Sequence, residues 1–213
     1  METKAFIFDL DGVIVFTDKF HYQAWKKMAD RMGIYFDEVI NNRLRGVSRA
    51  ESLEIILEKC EEVLTEEKKA ELMEEKNNTY RELLHTMTPA DVSDEVRNTL
   101  DALRAAGYRL AIGSSSKNAK FILERVGLLD AFDAISDGTN ITHSKPDPEV
   151  FVKAGEFLGI GAEECVVVED AYAGIDAARA AGMKSVGIGD ASGYGKADYK
   201  IQAFKELLDI AEV

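Results

Sequence analysis

Ala5-Phe6-Ile7-Phe8-Asp9-Leu10-Asp11-Gly12 is the stretch of sequence that decides the fold. Its first four residues are all apolar, which is typical of a strand buried on both faces of a parallel sheet. Asp9 and Asp11 follow at the side-chain period of two, so both carboxylates point the same way as the chain leaves the sheet. Paired acids there can bind a divalent cation or divide the roles of nucleophile and acid/base. Alone, the motif fits a solvated strand end and turn equally well.

Four further apolar runs resemble this first strand, and helical patterns separate them. The runs are Arg109–Ile112, Ala131–Ile135, Cys165–Val168 and Ser185–Ile188. The helical patterns are Asp94–Ala106, Lys117–Gly127, Pro148–Leu158 and Gly174–Ala181. This alternation predicts an α/β fold with a doubly wound, Rossmann-like parallel sheet. Ligands of such sheets bind at the carboxyl ends of the strands, so we expect a pocket there.

Residues 18–84 interrupt the alternation, because they contain no strand-like run and their apolar residues recur at helical spacing. One face of a first helix is lined by Phe20, Ala24, Met28 and Met32. Ser48 and Glu51 form a capping box that opens another helix, and Thr65 begins a long charged one. We predict a core of residues 1–16 and 86–213 and an inserted small helical cap, residues 17–85, here called the cap segment. It is either a lid over a pocket or a passive decoration.

Composition and charge exclude several classes of function. The chain has 213 residues, a formal net charge of −13, and 46% hydrophobic and 31% charged residues, the profile of a globular protein. The negative charge argues against binding to nucleic acid or to an anionic membrane surface, and no apolar run is long enough to span a membrane. The first four residues show no cleavable signal pattern, and Cys60 and Cys165 fit no disulfide or zinc spacing. We expect a cytoplasmic protein with reduced thiols.

Two polar segments offer the cation and hydroxyl groups that a phosphorylated ligand needs from so acidic a protein. Gly113-Ser114-Ser115-Ser116-Lys117-Asn118 ends a strand and enters a helix, so its amides and hydroxyls can face an anion. Ser144-Lys145-Pro146-Asp147-Pro148 places Lys145 in a rigid segment before a helix that begins with Asp147 and Pro148. Each segment also has an ordinary interpretation, as a serine-rich loop capped by Ser116 and as a surface lysine.

Glu169 and Asp170 form a second pair of acids. They emerge directly from the apolar run Val166-Val167-Val168. Two carboxylates at such a place are costly unless a cation compensates them, and hard oxygen ligands suit Mg²⁺. The pair is interpreted as metal ligands, with a solvated strand end as the alternative.

The order and spacing of these four groups are more specific than any one of them. An apolar strand before Asp9 and Asp11, a strand that ends at Ser114, Lys145 before a helix, and Glu169-Asp170 after a strand resemble the haloacid dehalogenase superfamily over the whole chain. The cap segment, directly after the first motif, is similar in position to the helical cap of that superfamily. Its residues resemble most those of the superfamily's sugar phosphate mutases.

The resemblance implies roles for the core residues. Asp9 would attack the phosphoryl group and become an aspartyl phosphate, and Asp11 would be the general acid/base. Mg²⁺ would be held by Asp9, Asp170 and the carbonyl of Asp11, with Glu169 in the coordination shell or just behind it. The transferring phosphoryl group would be stabilised by Ser114 and Lys145.

The resemblance also implies a small phosphorylated sugar as the substrate of a monomeric enzyme. The reaction would interconvert β-glucose 1-phosphate and glucose 6-phosphate, with glucose 1,6-bisphosphate as the priming phosphate donor. A second, distal phosphate site would be formed by Arg49, Ser116, Lys117 and Asn118. His21 and Lys76 would couple closure of the cap segment to the position of Asp11. The other predicted binding residues are Thr17, Trp25, Arg45, Gly46, Val47, Ser48, Ser52 and Ser115, and Asn77 also matches the mutase pattern.

Two departures from the family pattern leave the identity of the sugar open. Phe16 stands where the family commonly has an acid, and Arg45 replaces a lysine. A phosphatase acting on a sugar phosphate or phosphoglycolate shares every core residue and is the nearest alternative. A signalling receiver module would carry neither a second acid two residues after its phosphorylated aspartate nor a helical cap, and dehalogenation would not require Asp11. His85 and His143 are interpreted as non-catalytic.

Overall fold

Six parallel strands form one sheet at the centre of the core. The computed structural model describes residues 2–45, 47–58, 60 and 62–212. The strands are β1 (Ala5–Phe8), β2 (Arg109–Gly113), β3 (Ala134–Ser136), β4 (Cys165–Glu169), β5 (Lys184–Gly187) and β6 (Tyr199–Lys200). Their order across the sheet is β3-β2-β1-β4-β5-β6, and all neighbouring pairs are parallel. This order confirms the predicted doubly wound α/β core and adds β6, a strand of 2 residues that no sequence pattern indicated.

Helices cover the sheet and build the cap segment. Those of the described residues are α1 (Asp18–Arg31), α2 (Glu38–Asn42), α3 (Arg49–Leu57), α4 (Glu66–Leu84), α5 (Asp94–Ala105), α6 (Ala119–Arg125), α7 (Glu149–Leu158), α8 (Tyr172–Ala180) and α9 (Leu207–Ile210). None of them combines the length and the apolar character that crossing a membrane requires. Two predicted helix starts were early, since Asn118 and Pro148 are the residues that cap α6 and α7.

Local hydrogen bonds explain where several of these elements begin. The predicted capping box of α3 is present, because the amide of Glu51 donates to Ser48 Oγ over 3.2 Å and the amide of Ser48 donates to Glu51 Oε2 over 2.9 Å. Thr65 caps α4 by accepting from the amide of Lys68 over 3.2 Å. β3 begins later than predicted, because Leu129–Ala131 forms a 3₁₀ turn.

Each face of the sheet is covered by its own helices. Phe6 and Phe8 point to one face, where they pack with Leu100 of α5 and Ile122 of α6. Ile7 points to the other face, as the alternation of a strand requires. It packs there in a cluster that includes Ala111, Val150, Phe151, Ala154, Val167, Ala177 and Ala178. Because both faces are buried, β1 is apolar at every position.

The cap segment has a hydrophobic cluster of its own. Its buried members are Trp25, Met28, Ala29, Ile34, Phe36, Ile40, Leu44, Leu53, Ile56 and Leu72. α1 packs along α4, but Phe20 of α1 and Tyr80 of α4 belong to the cluster of the core that contains Phe8. The two clusters agree with a core and a cap, while the boundaries at residues 17 and 85 stay a prediction.

The strand order creates a switch point between β1 and β4, where ligands of doubly wound sheets bind. Phe8 of β1 is paired with Val168 of β4, and the amide of Asp9 donates to the carbonyl of Val168 over 2.9 Å. Asp9 therefore lies beside Glu169, the last residue of β4. β2, on the other side of β1, brings the serine-rich turn that starts at Ser114 to the same edge.

Candidate active site

The carboxyl ends of the strands open into a cavity between the sheet and the cap segment. Its volume is about 1410 Å³, above the roughly 300–1,000 Å³ of common small-molecule pockets, so a sugar with two phosphates has room. Asp9 and Asp170 line it from the core, and His21, Arg49 and Lys76 line it from the cap segment. The residues predicted from separate motifs thus share one surface.

A buried lysine joins the acids of β1 and β4. The Nζ atom of Lys145 lies 2.5 Å from Oδ1 of Asp9 and 2.5 Å from Oε1 of Glu169. It also lies 4.7 Å from the centre of the Phe151 ring. Burial opposes the charge, but Asp9 and Glu169 outweigh it and raise the pKa of Lys145. Lys145 is only 2% exposed, so it is a fixed interior cation and not a surface lysine.

Two glycines let the acids at the end of β4 approach the neighbouring backbone. A Cβ atom at Gly174 of α8 would lie 1.9 Å from Cδ of Glu169, and one at Gly12 would lie 2.0 Å from Oδ2 of Asp170. Glu169 is not free to move away, because its Oε2 accepts a 3.0 Å hydrogen bond from the amide of Ala171. Gly12 has a φ of 87°, a conformation that favours glycine. A side chain at either position would displace a carboxylate.

The acids at the switch point outnumber the cations that face them. One carboxylate oxygen each from Asp9, Glu169 and Asp170 lie within 4.8 Å of one another, and among the described residues Lys145 is their buried counter-ion. Burial and then Glu169 raise the pKa of Asp170 to about 7. Burial also raises the pKa of Asp9, against the effect of Lys145. A site rich in hard oxygen ligands and short of positive charge fits Mg²⁺.

Asp11 is oriented by residues of the cap segment. Thr17 Oγ1 donates a short hydrogen bond to Oδ1 of Asp11. Because its hydrogen is used there, Thr17 accepts from the hydroxyl of Tyr80 over 3.0 Å. Nε2 of His21 lies 3.9 Å from Oδ2 of Asp11. Burial opposes ionisation, but the contacts with His21 and Thr17 lower the pKa of Asp11, so its carboxylate is held as an oriented anion.

Lys76 lies among aromatic rings inside the cap segment. Its Nζ donates to Nδ1 of His21 over 2.8 Å, so the ring proton of His21 is on Nε2. That nitrogen faces the carboxylate of Asp11. Nζ also lies 4.9 Å from the ring centre of Trp25 and 4.5 Å from that of Tyr80. Burial, and then Arg49, lower the pKa of Lys76 to about 7. Trp25, predicted as a binding residue, is buried in the cap cluster and supports Lys76 with its ring.

Arg49 and Asn118 meet through Asn77. Oδ1 of Asn77 accepts from Arg49 over 2.8 Å and from Nδ2 of Asn118 over 3.0 Å. Arg49 and Asn77 belong to the cap segment, whereas Asn118 precedes α6 of the core, so this contact joins the two parts of the chain. Among the described residues no carboxylate pairs with Arg49, which leaves its charge available to an anion.

The serine-rich turn after β2 lies beside this contact. The hydroxyl of Ser114 accepts from the amide of Ser116 over 3.2 Å, and the hydroxyl of Ser116 accepts from the amide of Asn118 over 3.1 Å. The hydroxyl of Ser115 is buried, and no described residue is its hydrogen-bond partner. Lys117 is exposed in the cavity wall. A buried hydroxyl without a protein partner beside a lysine fits an anionic ligand.

The loop before α3 carries several of the predicted binding residues. The guanidinium of Arg45 is engaged by two carboxylates, with NH1 3.1 Å from Oδ2 of Asp190 and NH2 3.3 Å from Oδ2 of Asp18. Ser48 serves as the N-terminal cap of α3. Of the other predicted residues, the cavity wall contains Val47 and Ser52, and Gly46 lies outside the described residues.

Some contacts of the site were not predicted. Tyr80 lies four residues after Lys76 on the same face of α4, and that helical spacing would have found it. The pairing of Asp18 and Asp190 with Arg45 has no signal in the sequence. The two histidines interpreted as non-catalytic lie in different places: His85 packs edge-on against Phe121, and His143 lies in the cavity wall.

Known proteins share this fold and these motifs. The family model described as a haloacid dehalogenase-like hydrolase matches residues 3–182. β-Phosphoglucomutase of Bacillus subtilis (strain 168) is 41% identical over 206 residues, which cover 96% of this chain and 91% of that protein. A phosphorylated carbohydrates phosphatase of Thermotoga maritima is 31% identical over 186 residues, 86% of this chain and 83% of that protein. The crystal structure of β-phosphoglucomutase from Clostridium difficile superimposes with a TM-score of 0.90 at 39% identity, covering 96% and 93% of the two chains.

A doubly wound sheet with paired aspartates, a buried lysine and a serine turn at its switch point defines a class of phosphoryl-transfer enzymes. This chain belongs to the haloacid dehalogenase-like hydrolase family, whose model covers the cap segment as well as most of the core. The resemblance inferred from the four motifs is therefore confirmed.

Replacing Gly174 by alanine tests whether the packing of Glu169 supports the site. The new Cβ would overlap the carboxylate of Glu169, so we expect Gly174→Ala to lower the free energy of unfolding by about 1–3 kcal/mol. If this site holds Mg²⁺ as predicted, we also expect the substitution to weaken Mg²⁺ binding about 10- to 100-fold, because Glu169 would orient the predicted ligands. Urea denaturation and isothermal titration calorimetry measure these effects. In the control Gly195→Ala, a Cβ would contact nothing within 4 Å; equal behaviour of the two variants would contradict the prediction.

Proposed function

We propose that this protein has β-phosphoglucomutase activity and interconverts β-glucose 1-phosphate and glucose 6-phosphate. The observation that carries the proposal is the contact of Arg49, Asn77 and Asn118, which places in the same cavity as Asp9 a cation that pairs with no described carboxylate. A phosphatase must hold one phosphate, whereas a mutase must hold two. The similarity to the Bacillus β-phosphoglucomutase over nearly the whole chain supports the same choice.

Asp9 is the proposed nucleophile. A bond would form between its carboxylate oxygen and phosphorus while the bond from phosphorus to the sugar oxygen breaks, giving an aspartyl phosphate. Lys145, fixed against Asp9, would stabilise the charge on the transferring oxygens, together with the buried Ser114. Mg²⁺, held by Asp9, Asp170 and the Asp11 carbonyl, would supply further charge neutralisation. Glu169 would stand just behind these ligands, since both its oxygens already accept hydrogen bonds.

Asp11 is the proposed general acid/base. As an anion it would first take a proton from the attacking sugar hydroxyl, and the carboxylic acid so formed would then give that proton to the departing sugar oxygen in the second half of the reaction. Its carboxylate is contacted by Thr17 and His21, both of the cap segment. Lys76 fixes the ring of His21 from behind. Proton transfer would therefore be coupled to closure of the cap segment.

The distal site would hold the phosphate that is not reacting. Its members are Arg49, Ser116, Lys117 and Asn118, with the orphaned hydroxyl of Ser115 beside them. A bisphosphate intermediate must bind in two opposite orientations, so each phosphate in turn would occupy this site. Glucose 1,6-bisphosphate would prime the enzyme by phosphorylating Asp9. We propose that the enzyme acts as a monomer, on a small phosphorylated sugar and in the cytoplasm.

A direct assay tests the proposed function. We expect the wild type, given β-glucose 1-phosphate, Mg²⁺ and a trace of glucose 1,6-bisphosphate, to form glucose 6-phosphate with little inorganic phosphate. The α-anomer is the control, and omission of the bisphosphate should lengthen the lag before steady turnover. The alternative is a sugar phosphatase, as the Thermotoga relative suggests. Phosphate release from several hexose phosphates without isomerisation would establish that alternative.

Asp11 and Asp170 should respond differently to added metal. Asp170→Asn removes a proposed Mg²⁺ ligand, so its turnover should recover in part at high Mg²⁺. Asp11→Asn removes a proton donor and should lose about 10²–10⁴ in rate at any Mg²⁺ concentration. Mg²⁺ titrations of isomerisation measure both. Asp176→Asn is the matched control, because Asp176 pairs with Lys196 outside the described cavity lining. Equal rescue of the first two variants would show that their roles are wrongly assigned.

Arg49 should discriminate transfer to sugar from transfer to water. Its loss removes a charge-assisted contact to the distal phosphate, worth about 1.5–3 kcal/mol, or roughly one to two decades in kcat/KM. Hydrolysis of the aspartyl phosphate needs no distal phosphate and should fall much less. We therefore expect Arg49→Ala to lower isomerisation at least about tenfold while the ratio of phosphate release to isomerisation rises.

The matched control for that measurement is Arg43→Ala. Arg43 is also an arginine of the cap segment, but it pairs with Glu58 2.8 Å away and is not among the described cavity-lining residues. It should keep wild-type isomerisation. If both arginine variants lose activity alike, general damage to the cap segment, and not the distal site, explains the loss.

A further inference from the structure

Arg45 forms an ion pair that has no role in the proposed reaction. The pair crosses the gap between the cap segment and the core. Its NH1 atom lies 3.1 Å from Oδ2 of Asp190, which follows β5 in the core. Its NH2 atom lies 3.3 Å from Oδ2 of Asp18, the first residue of α1 in the cap segment. All three side chains line the same cavity. Arg45 therefore has one acidic partner on each side of the gap.

Asp190 is a well-anchored partner. The residues on both sides of it are hydrogen-bonded to the end of β4: the amide of Ile188 donates to the carbonyl of Glu169 over 2.9 Å, and the amide of Ala191 donates to the carbonyl of Asp170 over 3.0 Å. The loop that carries Asp190 is thus tied to the acids at the switch point. An arginine that pairs with Asp190 is therefore joined to a loop whose backbone is hydrogen-bonded to the end of β4.

The Arg45 pair and the Asn77 contact join the cap segment to the core at two different places. Asn77 meets Asn118 at the turn after β2, whereas Arg45 meets Asp190 after β5. In the sheet these strands lie on opposite sides of the β1–β4 switch point. The cap segment is therefore held on both flanks of the cavity, and loss of one contact would free that flank.

We propose that Asp190 is a positioning residue that acts through Arg45. Their ion pair shifts the cap segment toward the closed arrangement and so retains a phosphorylated sugar in the cavity. The retention of a sugar phosphate rests on the proposed function; the shift toward closure does not. Asp18 pairs with the same guanidinium from within the cap segment, so its charge should not affect closure.

The expected size of the effect follows from exposure. Arg45 and Asp190 are 42% and 76% exposed, and exposed pairs contribute about 0.2–1 kcal/mol, which corresponds to about 1.4- to 5-fold in an equilibrium constant. The pair is also screened by salt, since the screening length falls from about 10 Å at 0.1 M to about 3 Å at 1 M. The ratio of closed to open molecules should therefore fall as the salt concentration rises.

Spin-label distances measure closure of the free protein. One spin label is placed at Val63 of the cap segment, which is 95% exposed, and the other at the exposed Lys120 of α6. The distance between them reports the separation of cap and core. Both are introduced in a Cys60→Ser background. We expect Asp190→Asn to raise the ratio of open to closed molecules about 1.4- to 5-fold. Asp18→Asn, which removes the same charge from the same arginine, should match the parent. Added KCl should open the parent more than Asp190→Asn.

A second measurement tests retention of the ligand. The dissociation constant of glucose 6-phosphate, measured by calorimetry with Mg²⁺, should rise about 1.4- to 5-fold in Asp190→Asn. Combining Asp190→Asn with Arg45→Gln closes a double-mutant cycle. If Asp190 acts through Arg45, the Asp190 substitution has no further effect once Arg45 is replaced.

The outcomes separate this inference from the proposed function. Unchanged label distances in Asp190→Asn, an equal change in Asp18→Asn, or a full Asp190 effect in the Arg45→Gln background would each overturn the inference. A wild type that binds glucose 6-phosphate but does not isomerise β-glucose 1-phosphate would overturn the proposed function. The label distances would then still test whether the ion pair of Arg45 and Asp190 favours closure. A shift confined to Asp190→Asn and abolished by Arg45→Gln supports the inference.

Discussion

The buried contact of Lys145 with Asp9 and Glu169 is the interaction on which the rest of the site depends. Three buried charges are tolerated only when their geometry satisfies each of them, so β1 and β4 must be adjacent and in register. One lysine cannot balance Asp9, Glu169 and Asp170 together, and the remaining charge makes the site a receptor for a cation. The close packing of Gly174 follows from the same need, because Glu169 must stay within reach of Lys145.

The cap segment adds what the sheet cannot provide. The core holds the proposed nucleophile and the proposed metal ligands, but the partners that orient Asp11 come from residues before and along α1 and from α4. Arg49 likewise reaches the cavity from the start of α3. Core residues shared by a phosphatase and a mutase therefore do not distinguish the two. The distinction lies in the charges that the cap segment carries to the far side of the cavity.

Features encoded by a few consecutive residues could be predicted from the sequence. β1 was predicted to the residue, and the capping box at Ser48 is present, because apolar runs and caps depend on near neighbours. Contacts between distant segments could not be predicted: Arg45 and Asp190 are 145 residues apart, and neither lies in a pattern that indicates the other. Arg45 is predicted to bind substrate, and it lies in the cavity wall, where two carboxylates pair with it. The close approach of Gly174 to Glu169 could not be predicted either, because it depends on how α8 packs against β4.

The charge of the whole chain shows why the cavity must be built this way. A protein with a formal net charge of −13 repels a phosphorylated sugar at long range. The affinity for such a ligand therefore has to come from cations that act at short distance, in a cavity where the dielectric constant is low. Among the described residues of the cavity wall, the basic side chains that pair with no carboxylate are Arg49, Lys76 and Lys117. Arg49 and Lys76, which the cap segment supplies, act on a ligand only while the cap segment is near the sheet. Closure and binding of an anion therefore reinforce each other, and an open cap leaves an acidic edge that such a ligand avoids.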